Sequence, residues 1–289
     1  MMRDPFLIEG PAVISFSGGR TSGYMLWRIL QAHGGKLPDD VRVMFANTGK
    51  EMPETLDFVR DCGERWNVPI TWVEYRPKTA EGKQHAIVDY FSASRMGEPY
   101  ESLINDRKYL PNVVARFCTV ELKIRPMHRV IRSWGWDEWF SCIGIRADEE
   151  RRLAKMRARS KSTETNDETP IAPLATAGVR VEGVGRFWSK QPFDLALPNM
   201  NGRTMHGNCD LCFLKGAKQV YALIREQPKR ALWWIAQEAR VQSQAQFKGD
   251  GARFRSGRPS YKAMYDAAIA QSEMFAFDDE PLQDCACTD

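Results

Sequence analysis

The sequence runs to 289 residues, 43% hydrophobic and 27% charged, with a formal net charge of +4. Such a chain can bury a sizeable core and shows neither the bias of a disordered segment nor a fibrous repeat, while its charge is too small to name a partner. No apolar run reaches the roughly 18 residues of a membrane span, and Arg3, Asp4, Pro5 and Glu9 interrupt the start, so neither a signal peptide nor a membrane partner is expected.

A cytoplasmic location is therefore expected, where thiols stay reduced. The seven cysteines then read as core residues, metal ligands or reactive thiols rather than a disulfide framework.

The predicted elements begin with a β-rich run at 12–16, a turn at Ser17-Gly18-Gly19 and a helix over 21–30, whose Tyr24, Met25, Trp27, Ile29 and Leu30 form a broad apolar stripe. The pattern repeats: a strand over 41–46, a turn at Asn47-Thr48-Gly49, and a helix over 53–66 with Pro53 in its first turn. Residues 70–75 read as a third strand and 139–144 as a fourth. Helices are expected near 215–225, 228–242 and 261–274, and 160–168 reads as a polar loop. Strands alternating with helices predict an α/β fold, a parallel twisted sheet with helices on both faces. We expect this domain over 1–200, followed by a helical C-terminal extension over 201–289. In such sheets ligands bind beyond the carboxyl ends of the strands, where both glycine turns fall.

The turn Ser17-Gly-Gly-Arg-Thr-Ser22 lies between a strand and a helix, so its backbone N–H groups and the helix N-terminus can converge on an anion. Thr21 and Ser22 add hydroxyls able to cap the helix. No G-x-x-x-x-G-K-[ST] is present, and Gly183-Val-Gly185 lacks the third glycine and preceding strand of a dinucleotide fingerprint.

Four blocks in order resemble a known family. Ser15-Phe-Ser-Gly-Gly-Arg-Thr-Ser22 is similar to the PP-loop, and Asn47-Thr-Gly-Lys-Glu-Met-Pro-Glu-Thr55 resembles the second-strand signature of phosphoadenylyl-sulfate (PAPS) reductases. Phe117-Cys-Thr-Val-Glu-Leu-Lys-Ile-Arg-Pro126 and Gly144-Ile-Arg-Ala-Asp-Glu-Glu-Arg151 follow. The resemblance is to the PAPS reductase family of the PP-loop nucleotide α-hydrolase (HUP) superfamily, and it implies a Rossmann-like sheet with a nucleotide over its carboxyl edge. It further implies that Ser15, Ser17, Gly18, Gly19, Thr21 and Ser22 hold phosphates and that Asn47, Thr48 and Gly49 lie near the adenosine. Lys123 and Arg146 would meet the anionic group, with Arg151 in support. Arginine offers a fork to phosphoryl or sulfuryl oxygens, lysine a point charge. Sulfate-reducing relatives usually have a degenerate loop, whereas this loop is complete. That favours ATP, carried with Mg²⁺, over PAPS or adenylyl sulfate.

Cys209-Asp-Leu-Cys212 is a C-x₂-C spacing that lets two thiolates face one metal, and His206 precedes it. In iron–sulfur relatives a cysteine pair before the family lysine joins a later C-x-x-C around a [4Fe–4S] cluster; here Cys118 stands where that pair would be. The resemblance thus implies a cluster on Cys118, Cys209 and Cys212, and the alternative is a Cys₃His zinc site completed by His206. Cys62 and Cys142 read as core residues. Cys285 and Cys287 lie in an acidic tail whose carboxylates would blunt a thiol's reactivity.

The leading expectation is an ATP-dependent, AMP-forming sulfurtransferase that uses a thiol or sulfur donor protein and a tRNA or DNA acceptor. Its alternative is a PAPS or adenylyl-sulfate reductase releasing sulfite. A third reading, a nucleic-acid-binding module without turnover, rests on the basic run 146–161 and on Lys248, Arg253, Arg255, Arg258 and Lys262 interleaved with Phe247, Phe254 and Tyr261.

Overall fold

The structure, a computed structural model, describes residues 4–77, 84–158, 167–200, 202–244 and 252–270. Its centre is a six-stranded sheet of β1 (Ala12–Ser15), β2 (Val41–Asn47), β3 (Ile70–Tyr75), β4 (His85–Val88), β5 (Trp139–Cys142) and β6 (Glu168–Ile171), in the order β4-β3-β2-β1-β5-β6. The sheet is parallel as expected between all neighbours except β3 and the edge strand β4, which pair antiparallel. β4 follows β3 after a short connection, and only an antiparallel return is open to so short a link. The chain runs outward from β1 to β2 on one side and later to β5 on the other. The crevice above the carboxyl end of β1 is therefore a topological switch point.

β1, β2 and β3 are apolar and almost wholly buried because both their faces are covered. On one face α1 (Arg20–Ala32), α2 (Pro53–Arg65) and α8 (Val181–Trp188) pack through Met25, Leu26, Ile29, Phe58, Cys62 and Trp188 onto Ile14, Val43 and Phe45. On the other, Val130 and Ile131 of α5 (Arg125–Ser133) meet Val13, Met44 and Val73. Cys62 and Cys142 are both fully buried, as expected, and desolvation pushes the Cys142 thiol up to about 12. Gly183 and Gly185 are helical residues of α8, which follows the short helix α7 (Pro173–Thr176), and do not form a dinucleotide turn.

The C-terminal helices are α9 (Ala217–Glu226), α10 (Ala231–Gln242) and α11 (Tyr261–Ala270). Trp234, Phe254, Tyr261 and Met264 share a core with Tyr100, Leu103 and Ile104 of α3 (Glu98–Arg107) and with Leu122. Packing therefore crosses the 200/201 division. The same core absorbs the interleaved basic and aromatic segment: Phe254, Tyr261 and Arg258 are buried, and Trp234 stacks on Tyr261 at 5.2 Å. These side chains are committed to the interior rather than to a stacking platform. Phe247, Lys248, Cys285 and Cys287 lie outside the described residues, as does the end of the basic run at 159–161.

Candidate active site at the carboxyl edge

The turn after β1 is shaped by two close approaches. Gly18 has φ +75°, and a Cβ there would come within 2.6 Å of the Thr55 methyl, so the turn packs directly on α2. Gly144, after β5, lies so near Ser22 that a Cβ would stand 3.2 Å from its Cα. Between them α1 begins at Gly19, whose side is open: its nearest neighbour to an added Cβ is Ser17 Oγ at 3.6 Å. The expected capping by Thr21 or Ser22 does not occur; no side chain among the described residues caps α1. Its first N–H groups have no partner within the helix and carry the positive end of its dipole.

Ser22 is instead a brace. Its fully buried hydroxyl donates to Gly19 O at 3.0 Å, accepts from Ser17 N at 3.2 Å and lies 2.9 Å from Ser17 Oγ. Arg20 turns away from the open side. Its guanidinium donates to both Asp194 carboxylate oxygens at 2.8 to 3.0 Å, to Leu197 O at 3.0 Å, to Thr204 Oγ1 at 3.1 Å and to Leu195 O. Sequence reasoning left Arg20 without a role because nothing local marks Asp194 as its partner.

Arg146 reaches the loop from the turn after β5. One guanidinium nitrogen donates to Thr21 Oγ1 at 3.1 Å, while Nε and the other terminal nitrogen grip Asp148 at 3.0 to 3.3 Å. Arg146 N also donates to Glu149 Oε2 at 2.8 Å. Arg151 on α6 (Glu150–Arg157) is exposed, whereas its neighbour Arg152 is buried and paired with Glu149 at 2.6 Å. The structure thus brings Arg146 to the loop and supports it through Glu149 and Asp148.

The turn after β2 faces two ways. Asn47 is fully buried; it donates to Glu74 Oε1 at 2.6 Å and Ser94 O at 2.8 Å, and accepts from Gly49 N at 3.1 Å. Its side chain shapes the turn from inside. Thr48 is bound by Glu51, which accepts from its N–H at 3.0 Å and its hydroxyl at 2.9 Å. Thr48 Oγ1 also lies 3.4 Å from Cys209 Sγ. The second-strand signature thereby meets the C-x₂-C.

Cys118 sits in the short helix α4 (Phe117–Thr119), which continues through a π-helical turn, Val120–Ile124, into α5. Such π turns widen a helix and often occur at functional positions; this one carries Lys123. The charge of Lys123 reaches Cys209, and the thiols of Cys118, Cys209 and Cys212 all act on the buried Tyr100 hydroxyl, to which Cys118 is hydrogen-bonded. Burial pushes the Cys209 thiol up to about 12, with the Glu51 carboxylate adding to the rise and Lys123 and Thr48 opposing it.

No group of three or more His, Cys, Asp or Glu among the described residues is arranged to hold one metal ion. His206 is turned to Glu226 on α9, its Nε2 lying 2.6 Å from the carboxylate, so it does not complete a tetrahedral site with the thiols. Cys118, Cys209 and Cys212 border the same buried Tyr100 hydroxyl, and thiolates are the donor type that iron–sulfur clusters use.

Residues 11–178 match the family described as phosphoadenosine phosphosulfate reductase domain. The chain is 32% identical over 216 residues to the uncharacterized nin region protein ORF290 of Escherichia phage lambda, covering 72% of this chain and 67% of that protein. It is 24% identical over 167 residues to the uncharacterized protein MJ0066 of Methanocaldococcus jannaschii, of whose length it spans only 29%. The crystal structure of a PAPS reductase from Candida auris in phosphate complex aligns with a TM-score of 0.41 at 16% identity, over 67% of this chain and 82% of that one. No helix among the described residues is long and apolar enough to cross a membrane.

Proposed function

Because the chain belongs to the phosphoadenosine phosphosulfate reductase domain family, we propose that it is an adenine-nucleotide-dependent enzyme of sulfur metabolism that activates an acceptor with ATP for sulfur transfer. One observation carries the choice of ATP: the loop after β1 is complete, with an open side at Gly19, an uncapped helix N-terminus and Arg146 bonded across it to Thr21. A polyphosphate needs that whole cradle.

In this reading the β- and γ-phosphates, with their Mg²⁺, lie on the Ser17–Thr21 backbone. Asp148 holds two sides of the Arg146 guanidinium, so the fork is fixed before substrate arrives, which is how a preorganised cation lowers a barrier. An acceptor oxygen attacks the α-phosphorus, the bond to the β-phosphate oxygen breaks, and pyrophosphate leaves. A sulfur nucleophile then displaces AMP from the adenylated acceptor. Lys123 lies on the thiol side of the crevice, where it would offset charge on the attacking and departing groups. Cys118, Cys209 and Cys212 would hold an iron–sulfur cluster, which when bound supplies a site for sulfur.

Release of AMP and pyrophosphate from ATP in the presence of an acceptor nucleic acid tests the reading. Sulfite release from PAPS or adenylyl sulfate, dependent on thiol and independent of ATP, would instead make the chain a reductase.

A further inference from the structure

Asp210 stands between the thiols of the C-x₂-C, and its carboxylate is almost fully buried with four donors around it. Oδ1 accepts from Leu211 N at 2.7 Å and Trp234 Nε1 at 2.8 Å; Oδ2 accepts from Lys50 Nζ at 3.0 Å and, at 3.4 Å, from Arg230. That fills the acceptor capacity of a carboxylate. Lys50 belongs to the turn after β2 and is also buried, its ammonium 4.9 Å from the centre of the Trp233 ring. The two residues are joined twice, because Asp210 N also donates to Lys50 O at 2.7 Å.

We propose that Lys50 and Asp210 form a buried ionic pin that positions the Cys209–Cys212 turn against the carboxyl end of β2. This deepens the proposed function, for it rests on the reading that the thiols and the nucleotide share one edge of the sheet. Three observations meet at the pin. The side chains of Lys50 and Asp210 are only 7% and 1% exposed, so neither charge can turn to water: the Lys50 ammonium depends on Asp210, and Asp210 is held at 3.0 Å by Lys50 and at 3.4 Å by Arg230. Thr48 is two residues before Lys50 and touches Cys209, one residue before Asp210, so the pin and the thiol contact share the same pair of strands of chain. The far side of the turn is fixed separately: Tyr261 donates to Leu211 O and Arg258 to Phe213 O, both from the C-terminal helical unit. The turn is thus held between the β2 edge and the C-terminal core, and Lys50 gives the β2 side a charged anchor.

Buried ion pairs are weak evidence for stability, since well-packed apolar residues often do as well. Their better-supported role is to fix one arrangement among several. Here the arrangement fixed is the place of Cys209 against Thr48, on the side of the buried Tyr100 that Cys118 of α4 also borders.

The test uses the full chain as purified and needs neither nucleotide nor turnover. Amide exchange is followed in the peptide spanning 207–214, and alkylation of Cys209 and Cys212 is mapped in the same preparations after chelation under reductant. Lys50→Met and Asp210→Asn should each speed exchange and alkylation there at least about tenfold, because Asp210→Asn strands the buried Lys50 charge and Lys50→Met leaves Asp210 only the longer contact with Arg230, and an underpaired buried charge favours local opening. Peptides of β1 and β2, and the thiols Cys62 and Cys142, should keep their rates. The double variant Lys50→Met/Asp210→Asn removes both charges, so its effect should fall well below the product of the single effects. It also remains informative if a single variant does not fold. Unchanged exchange at 207–214 in a folded single variant, multiplicative effects in the double variant, or equal acceleration across the whole chain would overturn the pin. Loss of ATP binding would leave this result untouched, so the two readings fail separately.

Discussion

Thr48 Oγ1 and Cys209 Sγ lie 3.4 Å apart, although 161 residues separate them in the chain. Through that contact the turn after β2, beside the phosphate loop, also floors the thiol group.

Gly18 and Gly19 should behave differently. Gly18→Ala introduces a Cβ at positive φ against Thr55 and should cost at least about 1 kcal/mol of stability, read as a lower Tm. Gly19→Val extends into the open side and should weaken ATP binding with little change in Tm. Ser22→Ala removes a buried, doubly bonded hydroxyl and should lower stability by about 1–3 kcal/mol before any effect on affinity is considered. A Gly19→Val variant with native ATP affinity would remove the phosphate-loop assignment.

Arg146→Lys keeps the charge but cannot hold Asp148 and Thr21 together, and should lower kcat more than it raises KM for ATP. Arg151→Ala should be close to silent, since that side chain is exposed on α6. A rise in KM alone at Arg146 would assign it to ground-state binding.

Protein purified without oxygen should be brown, and Cys118→Ser, Cys209→Ser or Cys212→Ser should each bleach it. Cys62→Ser and Cys142→Ser should not, because both thiols lie in the core away from Tyr100. His206→Ala should spare the colour, its imidazole being bound to Glu226. Colourless protein with one zinc per chain would overturn the cluster.

Glu238 is buried on α10 and accepts from Tyr261 N at 2.8 Å and Phe254 N at 3.2 Å. Desolvation outweighs those bonds and raises its pKa from 4.5 to about 6. The folded state therefore holds the proton more tightly than the unfolded chain. That contribution is complete below about pH 4.5 and is lost as the pH rises through about 6, a change on the order of 2 kcal/mol. Wild type should gain in Tm relative to Glu238→Gln between pH 7 and pH 5; a pH-independent difference would refute the assignment.

The first three strands, both glycine turns and the order of the four blocks are legible in the sequence because each rests on local pattern: β-branched runs, glycine where the backbone must bend back, apolar residues at helical spacing. β4 is not. Its four residues, His85-Ala-Ile-Val88, have too little alternation to stand out, and their direction is set by pairing with β3. Arg20, Glu51 and Lys50 were equally silent, since their partners Asp194, Thr48 and Asp210 are defined by tertiary contact or by a buried turn. Phe254 and Tyr261 misled in the opposite sense: aromatic residues among arginines suit a nucleic-acid surface and a C-terminal core equally well, and only burial separates the two.

The central claim, that the complete loop takes the polyphosphate of ATP, is met most directly by calorimetric titration of the anaerobic protein with Mg·ATP, PAPS and adenylyl sulfate. The account predicts that ATP binds most tightly and that Gly19→Val abolishes that preference while leaving the fold intact. Tighter binding of PAPS or adenylyl sulfate, unaffected by Gly19→Val, would contradict it.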